Sequence, residues 1–433
     1  MQIDRDVTIN GLFRFVQRAG KETRELVYDY KRCNGCGICV YACPVNAIEL
    51  GPVHDIASGL DMPPVIIDHL KCAYCGICYA FCPFNAFKFY INGDEIEKDS
   101  LPVSPVAYTY KLDSCVKCTL CYKVCPMNAI TRNVRIRRED IPERNEGVSG
   151  KVTVDRDKCN LCGICAEFCG VFKLIGKDVK PDDIMPYEDL LIDESKCDYC
   201  KLCEEICPEN AIKVEGKRIS FELPDTIAEI SIDQELCSYC GYCEKVCPYD
   251  AARTVKPIEG ELILYEKRLH RCDPIGCKAC INVCKHNRVW WVSDRLRFNS
   301  DFCVYCGACE NACPHNLIEV KRSKYYTKVL LDNVPWREAW QRAVERIVLK
   351  QRAELPEGKF SIEIKEFETF GDEMAVEKTV SIEVLEDRLN AIEQALKIPF
   401  YRRAFEKGHL KIFLKAVKEY ASGKNQRNQE QKA

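Results

Sequence analysis

Thirty-two cysteines punctuate a chain of 433 residues, and their spacing is the feature that could do chemistry. They fall into eight groups of four. The groups are Cys33, Cys36, Cys39, Cys43; Cys72, Cys75, Cys78, Cys82; Cys115, Cys118, Cys121, Cys125; and Cys159, Cys162, Cys165, Cys169. The second half continues with Cys197, Cys200, Cys203, Cys207; Cys237, Cys240, Cys243, Cys247; Cys272, Cys277, Cys280, Cys284; and Cys303, Cys306, Cys309, Cys313. Seven groups share the spacing C-x2-C-x2-C-x3-C, and in six the last cysteine precedes a proline: Pro44, Pro83, Pro126, Pro208, Pro248 and Pro314. Three thiolates two residues apart on a tight loop can each reach a different iron of one four-iron cube, whereas the fourth ligates a neighbouring cube. The chemistry on offer is one-electron transfer through eight [4Fe-4S] clusters, with all 32 cysteines as ligands.

Zinc would also take four thiolates, but its sites pair two C-x2-C knuckles and give no reason for the third cysteine or the proline. Disulfides need an oxidising compartment and would not repeat one spacing eight times. The residue after the second cysteine is Gly37, Gly76, Gly163, Gly241 or Gly307 in five groups, which lets the backbone turn sharply and aim N–H groups at sulfur. Thr119, Lys201 and Lys278 stand there in the others. Lys plus Arg total 63 against 66 for Asp plus Glu, so a formal charge of −3 gives no field for nucleic acid. At a mean hydropathy of −0.25, no apolar run approaches the roughly 20 residues of a membrane span. Residues 1–20 lack the apolar stretch of a signal peptide, which points to the cytoplasm.

The elements that must hold these loops repeat with them. First cysteines lie 39, 43, 44, 38, 40, 35 and 31 residues apart. Short alternating strands lead into the groups, as in VIIDHLKC and ISIDQELC, and others follow, as in NAIEL and NAIKV. Each repeat is half of a β-α-β-β-α-β ferredoxin unit. The fold class expected is α+β: a tandem array of four bacterial-type 2[4Fe-4S] ferredoxin units with a small α+β or helical C-terminal extension. Only 18 residues join the seventh and eighth groups. Counting back from that pair gives an N-terminal extension at 1–22, ferredoxin units at 23–100, 101–186, 187–257 and 258–325, a docking extension at 326–420 and a disordered tail at 421–433. The Asn92-Gly93 hairpin signal after the second group keeps open a nested order, with one unit inserted in another. Units of about 70 residues have little core of their own, so the clusters serve as core and iron-free chain should be largely unfolded. Eight oxidised clusters at about two negative charges each take −3 to about −19, which many of the basic residues would offset.

Beyond Val320 the texture changes. VPWREAWQRAVERIVLKQR places Trp336, Trp340, Ala343 and Ile347 at helical spacing. FSIEIKEFE and VEKTVSIEV read as strands, and LEDRLNAIEQALKI and FEKGHLKIFLKAVKEYA as helices. Two groups depart from the pattern: Gly170 follows Cys169, and the seventh carries Asp273 to Gly276 between its first two cysteines, with Lys285 where proline would stand. Loop variation accounts for both; a sharper reading gives the seventh cluster a shifted potential and makes it a point of electron access. Tyr74, Tyr199, Tyr239 and Tyr305 precede second cysteines, where a ring packs or screens a cluster. Of Trp290 and Trp291, adjacent on a hairpin strand, one must face outward unless covered.

The first two repeats, CNGCGICVYACPVNAIELGPV and PPVIIDHLKCAYCGICYAFCPFNAFKFYINGDEIEK, resemble the polyferredoxin subunit of tungsten- or molybdenum-dependent formylmethanofuran dehydrogenase of methane-metabolising archaea. That resemblance spans roughly residues 30–320. It implies an electron carrier, with no catalysis of its own, working beside a tungsten- or molybdenum-pterin catalytic subunit and an amidohydrolase subunit that interconvert carbon dioxide and formylmethanofuran. Heterodisulfide reductase or a soluble ferredoxin would be further partners. A polyferredoxin of a hydrogenase or energy-converting hydrogenase complex is the alternative, and an electron-storing array a third. An independent enzyme would need a nucleotide loop or a His and carboxylate cluster; GVFKLIGKD lacks the P-loop spacing, and only six histidines are present.

Overall fold

Every cluster loop opens on a strand and closes on a four- or five-residue helix followed by a second strand, and the strands from two halves close each unit. In the computed structural model the described residues are 2–7, 11–286, 288–330 and 337–354. The strand leading into the first group, Glu22–Asp29, runs antiparallel to Phe87–Ile91, which trails the second. Conversely Ile48–Leu50, trailing the first, pairs with Val65–Ile67, leading into the second. The seventh and eighth groups do the same through Ile258–Leu264 with Ile318–Tyr325 and Trp290–Val292 with Leu296–Phe298.

The middle four groups pair differently from the consecutive order. Lys151–Val154 joins Ile212–Glu215 and Phe172–Gly176 joins Tyr187–Ile192, which closes the fourth half on the fifth. Tyr108–Lys111 joins Ala252–Val255 and Ile130–Val134 joins Ala228–Ile232, which closes the third half on the sixth. One unit is therefore inserted in another, and the bounds 101–186 and 187–257 are corrected to a nested arrangement. The physical reason lies in the connectors. Arg138 is buried and donates to the carbonyls of Ile141 (3.1 Å) and Glu143 (2.7 Å) and to the Asp198 carboxylate, so 135–150 is pinned as an outgoing arm and makes no hairpin. The returning arm meets it where Asn145 Nδ2 donates to the Lys217 carbonyl at 2.6 Å. Ile141, Ile219 and Ile227 are buried along the two arms.

The 1–22 segment is no separate extension. Gln2–Val7 and Leu12–Ala19 add to Glu22–Asp29 and make one five-stranded sheet with the first unit. Arg337–Leu349 forms the expected helix, with Trp340, Ala343 and Ile347 buried. Trp340 packs on Phe81, which meets the edge of Tyr325. Arg346 donates to the carbonyls of Tyr41 and Ala42 (both 3.0 Å) and Arg322 to that of Ile347 (2.8 Å), which binds this helix to the loops of the first and eighth groups. The part of the 326–420 extension beyond 354, with its two strands and two helices, and the 421–433 tail lie outside the described residues, as does Trp336. Among the described residues no helix is long and apolar enough to cross a membrane.

Candidate iron–sulfur sites

Each loop is shaped by residues in the left-handed region. The position after the second cysteine has φ between 48° and 93° in all eight groups, Thr119, Lys201 and Lys278 included. In seven groups the residue just before the second cysteine is left-handed too: Gly35, Tyr74, Lys117, Leu161, Tyr199, Tyr239 and Tyr305. A third such residue follows each Cys-Pro pair: Asn46, Asn85, Asn128, Asn210, Asp250 and Asn316. Asn and Asp tolerate that region better than other side chains. Their recurrence three places after the fourth cysteine is the signal in the sequence that would have disclosed them.

This backbone aims N–H groups at sulfur. The residue four places after the fourth cysteine donates to its Sγ at 3.2–3.3 Å in the six groups that carry the proline. The residue two places after the first cysteine donates to its Sγ at 3.3–3.5 Å at Cys33, Cys72, Cys197, Cys237 and Cys303. Amide hydrogen bonds to the sulfurs are a lever by which a protein raises a cluster's potential. Tyr74, Tyr199, Tyr239 and Tyr305 serve here through their backbone, and the rings of two pack closely on glycines: an added Cβ at Gly150 would strike the Tyr199 ring, and one at Gly260 would meet that of Tyr305. Trp290 is buried against Phe298 and Trp291 is half-buried.

The loops gather thiols in fours, three from one group and the fourth from its pairing partner. Cys33, Cys36 and Cys39 share a cavity with Cys82. Cys115, Cys118 and Cys121 share one with Cys247, and Cys237, Cys240 and Cys243 one with Cys125. Cys197, Cys200 and Cys203 line a cavity with Cys169. The same crossed pairing brings Cys43 near Cys78 with Cys72 and Cys75, and Cys207 near Cys165 with Cys159 and Cys162. Cys313 acts on Cys280 with Cys272 and Cys277, and Cys284 on Cys309 with Cys303 and Cys306. Burial comes first and the neighbouring thiols add to it, pushing Cys118, Cys165 and Cys280 up to about 12. Thiols so placed stay protonated near neutrality, and iron must displace those protons to bind. A donor set made wholly of thiols, crossed between two halves and solvated by backbone N–H groups, fits a four-iron cube.

Cations accompany the sets, Arg322 buried and Lys98, Lys256 and Lys285 half-buried. Lys98 donates to the Cys82 carbonyl (3.4 Å) and to Asn85 Oδ1, and burial pulls its ammonium below the usual range. Lys256 donates to the Cys303 carbonyl (3.0 Å) and feels both Cys303 and Cys240. Arg322 donates to the carbonyls of Tyr305 (3.0 Å) and Cys306. Lys285 is turned away from the seventh group's own thiols: it donates to the Lys31 carbonyl at 2.8 Å and acts on Cys33. His286 Nδ1 meets Ser238 Oγ at 2.9 Å, and burial, then Lys256, push the imidazole down to about 4, so it is neutral.

Comparison with known proteins agrees with this construction. Residues 32–86, 114–171 and 196–251 match the 4Fe-4S dicluster domain family, and 296–319 match the 4Fe-4S binding domain family. The chain carries a tandem series of 4Fe-4S ferredoxin domains on one polypeptide. The matched segments join neighbours in sequence because the halves are interchangeable locally; the strand ladders nevertheless close the third on the sixth. Polyferredoxin protein FwdF of Methanocaldococcus jannaschii is 46% identical over 55 residues, covering 13% of this chain and 15% of that protein. A chain of the formate dehydrogenase–heterodisulfide reductase–formylmethanofuran dehydrogenase complex of Methanospirillum hungatei shares the fold with a TM-score of 0.54. That alignment covers 88% of this chain and 98% of the other at 23% identity.

Proposed function

We propose that this chain holds eight [4Fe-4S] clusters, one in each set of four thiols, and conducts low-potential electrons within a cytoplasmic formylmethanofuran dehydrogenase complex. The observation that carries the reading is that the strand ladders cross the halves, so that three thiols of one group share a cavity with the fourth thiol of its pairing partner. Within units, Cys39 lies in the field of Cys78, Cys243 of Cys121, Cys203 of Cys165 and Cys309 of Cys280. Between units, Cys36 lies in the field of Cys306, and Asn34 Nδ2 bridges to Cys306 Sγ at 3.7 Å. Lys256 joins Cys303 to Cys240. Cys118 lies in the field of Cys162, where the Tyr249 hydroxyl accepts from Asn160 Nδ2 at 3.0 Å.

The path then runs from the second group's set through the first, eighth, sixth, third and fourth to the fifth, and the seventh branches from the eighth. Clusters held there would supply one-electron transfer with no bond made, so the residues that matter are the cysteines that would hold them, the backbone N–H groups that would solvate their sulfurs and the side chains that would insulate them. The likeness to the M. jannaschii polyferredoxin supports the choice of complex, with a tungsten- or molybdenum-pterin subunit and an amidohydrolase subunit as partners and heterodisulfide reductase or a soluble ferredoxin beyond them. Anaerobic native purification with mass spectrometry of the co-purifying chains tests it. The expected result is recovery of both enzyme subunits; recovery of nickel–iron hydrogenase subunits in their place would overturn it.

A further inference from the structure

The seventh group is built to present an apolar side chain to solvent. The Asp273 carboxylate accepts from the N–H groups of Ile275 (3.2 Å) and Gly276 (2.8 Å), and its carbonyl accepts from Cys277 at 3.0 Å. These bonds fix the four-residue link between Cys272 and Cys277, two residues longer than in the other groups, as a tight turn whose tip is Ile275, which is 75% exposed, the most of any large hydrophobic residue among those described. A loop held this firmly, with its apolar side chain outward and directly between two cluster ligands, has the form of a contact anchor.

The surroundings are positive. The helical turn Glu266–Arg271 runs straight into Cys272 and carries Lys267, Arg268 and Arg271, and Lys278 follows Cys277 on the far side of the loop, all four exposed. The two carboxylates of the segment are engaged elsewhere: Glu266 faces Arg295 at 3.6 Å, and Asp273 is spent on the turn. On a chain whose clusters make it strongly negative, this is a local reversal of sign. An exposed apolar side chain on a segment that carries four exposed cations, one of them, Arg268, also lying over the Tyr265 ring, fits a partner with an apolar spot inside an acidic rim.

We propose that the seventh-group loop is the docking surface for a small acidic redox protein, seated on Ile275 and held by Arg268, Arg271 and Lys278. The proposal rests on the wire reading above, since the seventh set branches from the eighth and so joins a docked partner to the path. In the step served, one electron leaves the partner's [4Fe-4S]¹⁺ cluster, which returns to 2+, and enters the seventh cluster, which passes from 2+ to 1+. No proton or bond moves.

The test is stopped-flow reduction of the purified, cluster-loaded complex by a small acidic two-cluster ferredoxin, with reduced benzyl viologen as a second, non-docking donor. Ile275→Ser is expected to slow transfer from the ferredoxin about tenfold and leave the viologen rate unchanged. Reversing Arg268, Arg271 and Lys278 together to Glu is expected to slow it about 100-fold at low salt and to invert its dependence on ionic strength, so that added salt speeds the transfer it slows in the wild type. A ferredoxin rate unchanged within twofold in both variants, with cluster content intact, would overturn the docking surface and leave the wire standing. Loss of a co-purifying subunit in Ile275→Ser would also overturn it, by assigning this surface to a permanent partner. A wild-type chain that failed to accept about eight electrons would bring down the wire reading itself.

Discussion

Excising residues 146–217 and joining the cut ends with two glycines should leave a folded chain that binds about 24 iron atoms, against about 32 in the full chain. The strands on either side of the cut belong to the third and sixth halves, which close on each other through Tyr108–Lys111 with Ala252–Val255 and Ile130–Val134 with Ala228–Ile232. The ends are already neighbours, since Asn145 reaches the Lys217 carbonyl at 2.6 Å. Taking out 101–186, the segment a consecutive order would treat as one unit, should do far more damage. It deprives Ala252–Val255 and Ala228–Ile232 of their partner strands, strips Cys125 from the set of Cys237, Cys240 and Cys243, and strips Cys169 from that of Cys197, Cys200 and Cys203. Iron analysis and gel filtration of the two deletions decide between the orders, and a well-folded 101–186 deletion with a collapsed 146–217 deletion would contradict the nested fold.

Withholding iron and sulfide should abolish the fold over the ferredoxin units. Their largest contiguous core is assembled in good part from cysteines, among them Cys36, Cys39, Cys78, Cys240, Cys303 and Cys309. The inserted unit keeps only a small separate cluster around Val152, Phe172, Leu190, Ile212 and Val214. A core of that size contributes no more than about 3–5 kcal/mol, whereas a structural metal site contributes on the order of 10 kcal/mol. The ladders are mostly three to five residues long and isolated in pairs, the form least able to stand alone. Far-UV circular dichroism of chain made under iron starvation should show largely unstructured polypeptide, with the native signal returning on anaerobic reconstitution. A native spectrum before reconstitution would show that the protein core suffices.

Much of the site can be read directly from residue order. The cysteine spacing picks out the thiols that line the shared cavities, and the glycines after second cysteines mark left-handed positions that the structure retains. What residue order conceals is relational. Any half can complete any other, because each offers the same strand, loop and helix; the choice is made by Arg138, Ile141 and Ile227 in connectors that carry no motif. The accompanying cations are equally hidden, since Lys98 and Lys256 sit among many other lysines and gain meaning only when the chain folds them against Cys82 and Cys303. Lys285 illustrates the limit. It stands next to the seventh group in sequence, yet its charge falls on Cys33 of the first.

One chain should carry eight electron-accepting clusters close enough to interact. Anaerobic reductive titration of the purified protein, followed by electron paramagnetic resonance at each step, tests that claim most directly. It should take up about eight electrons per chain, and the spectrum should broaden as neighbouring reduced cubes begin to interact. Uptake of four electrons or fewer, or eight independent signals that never interact, would contradict it.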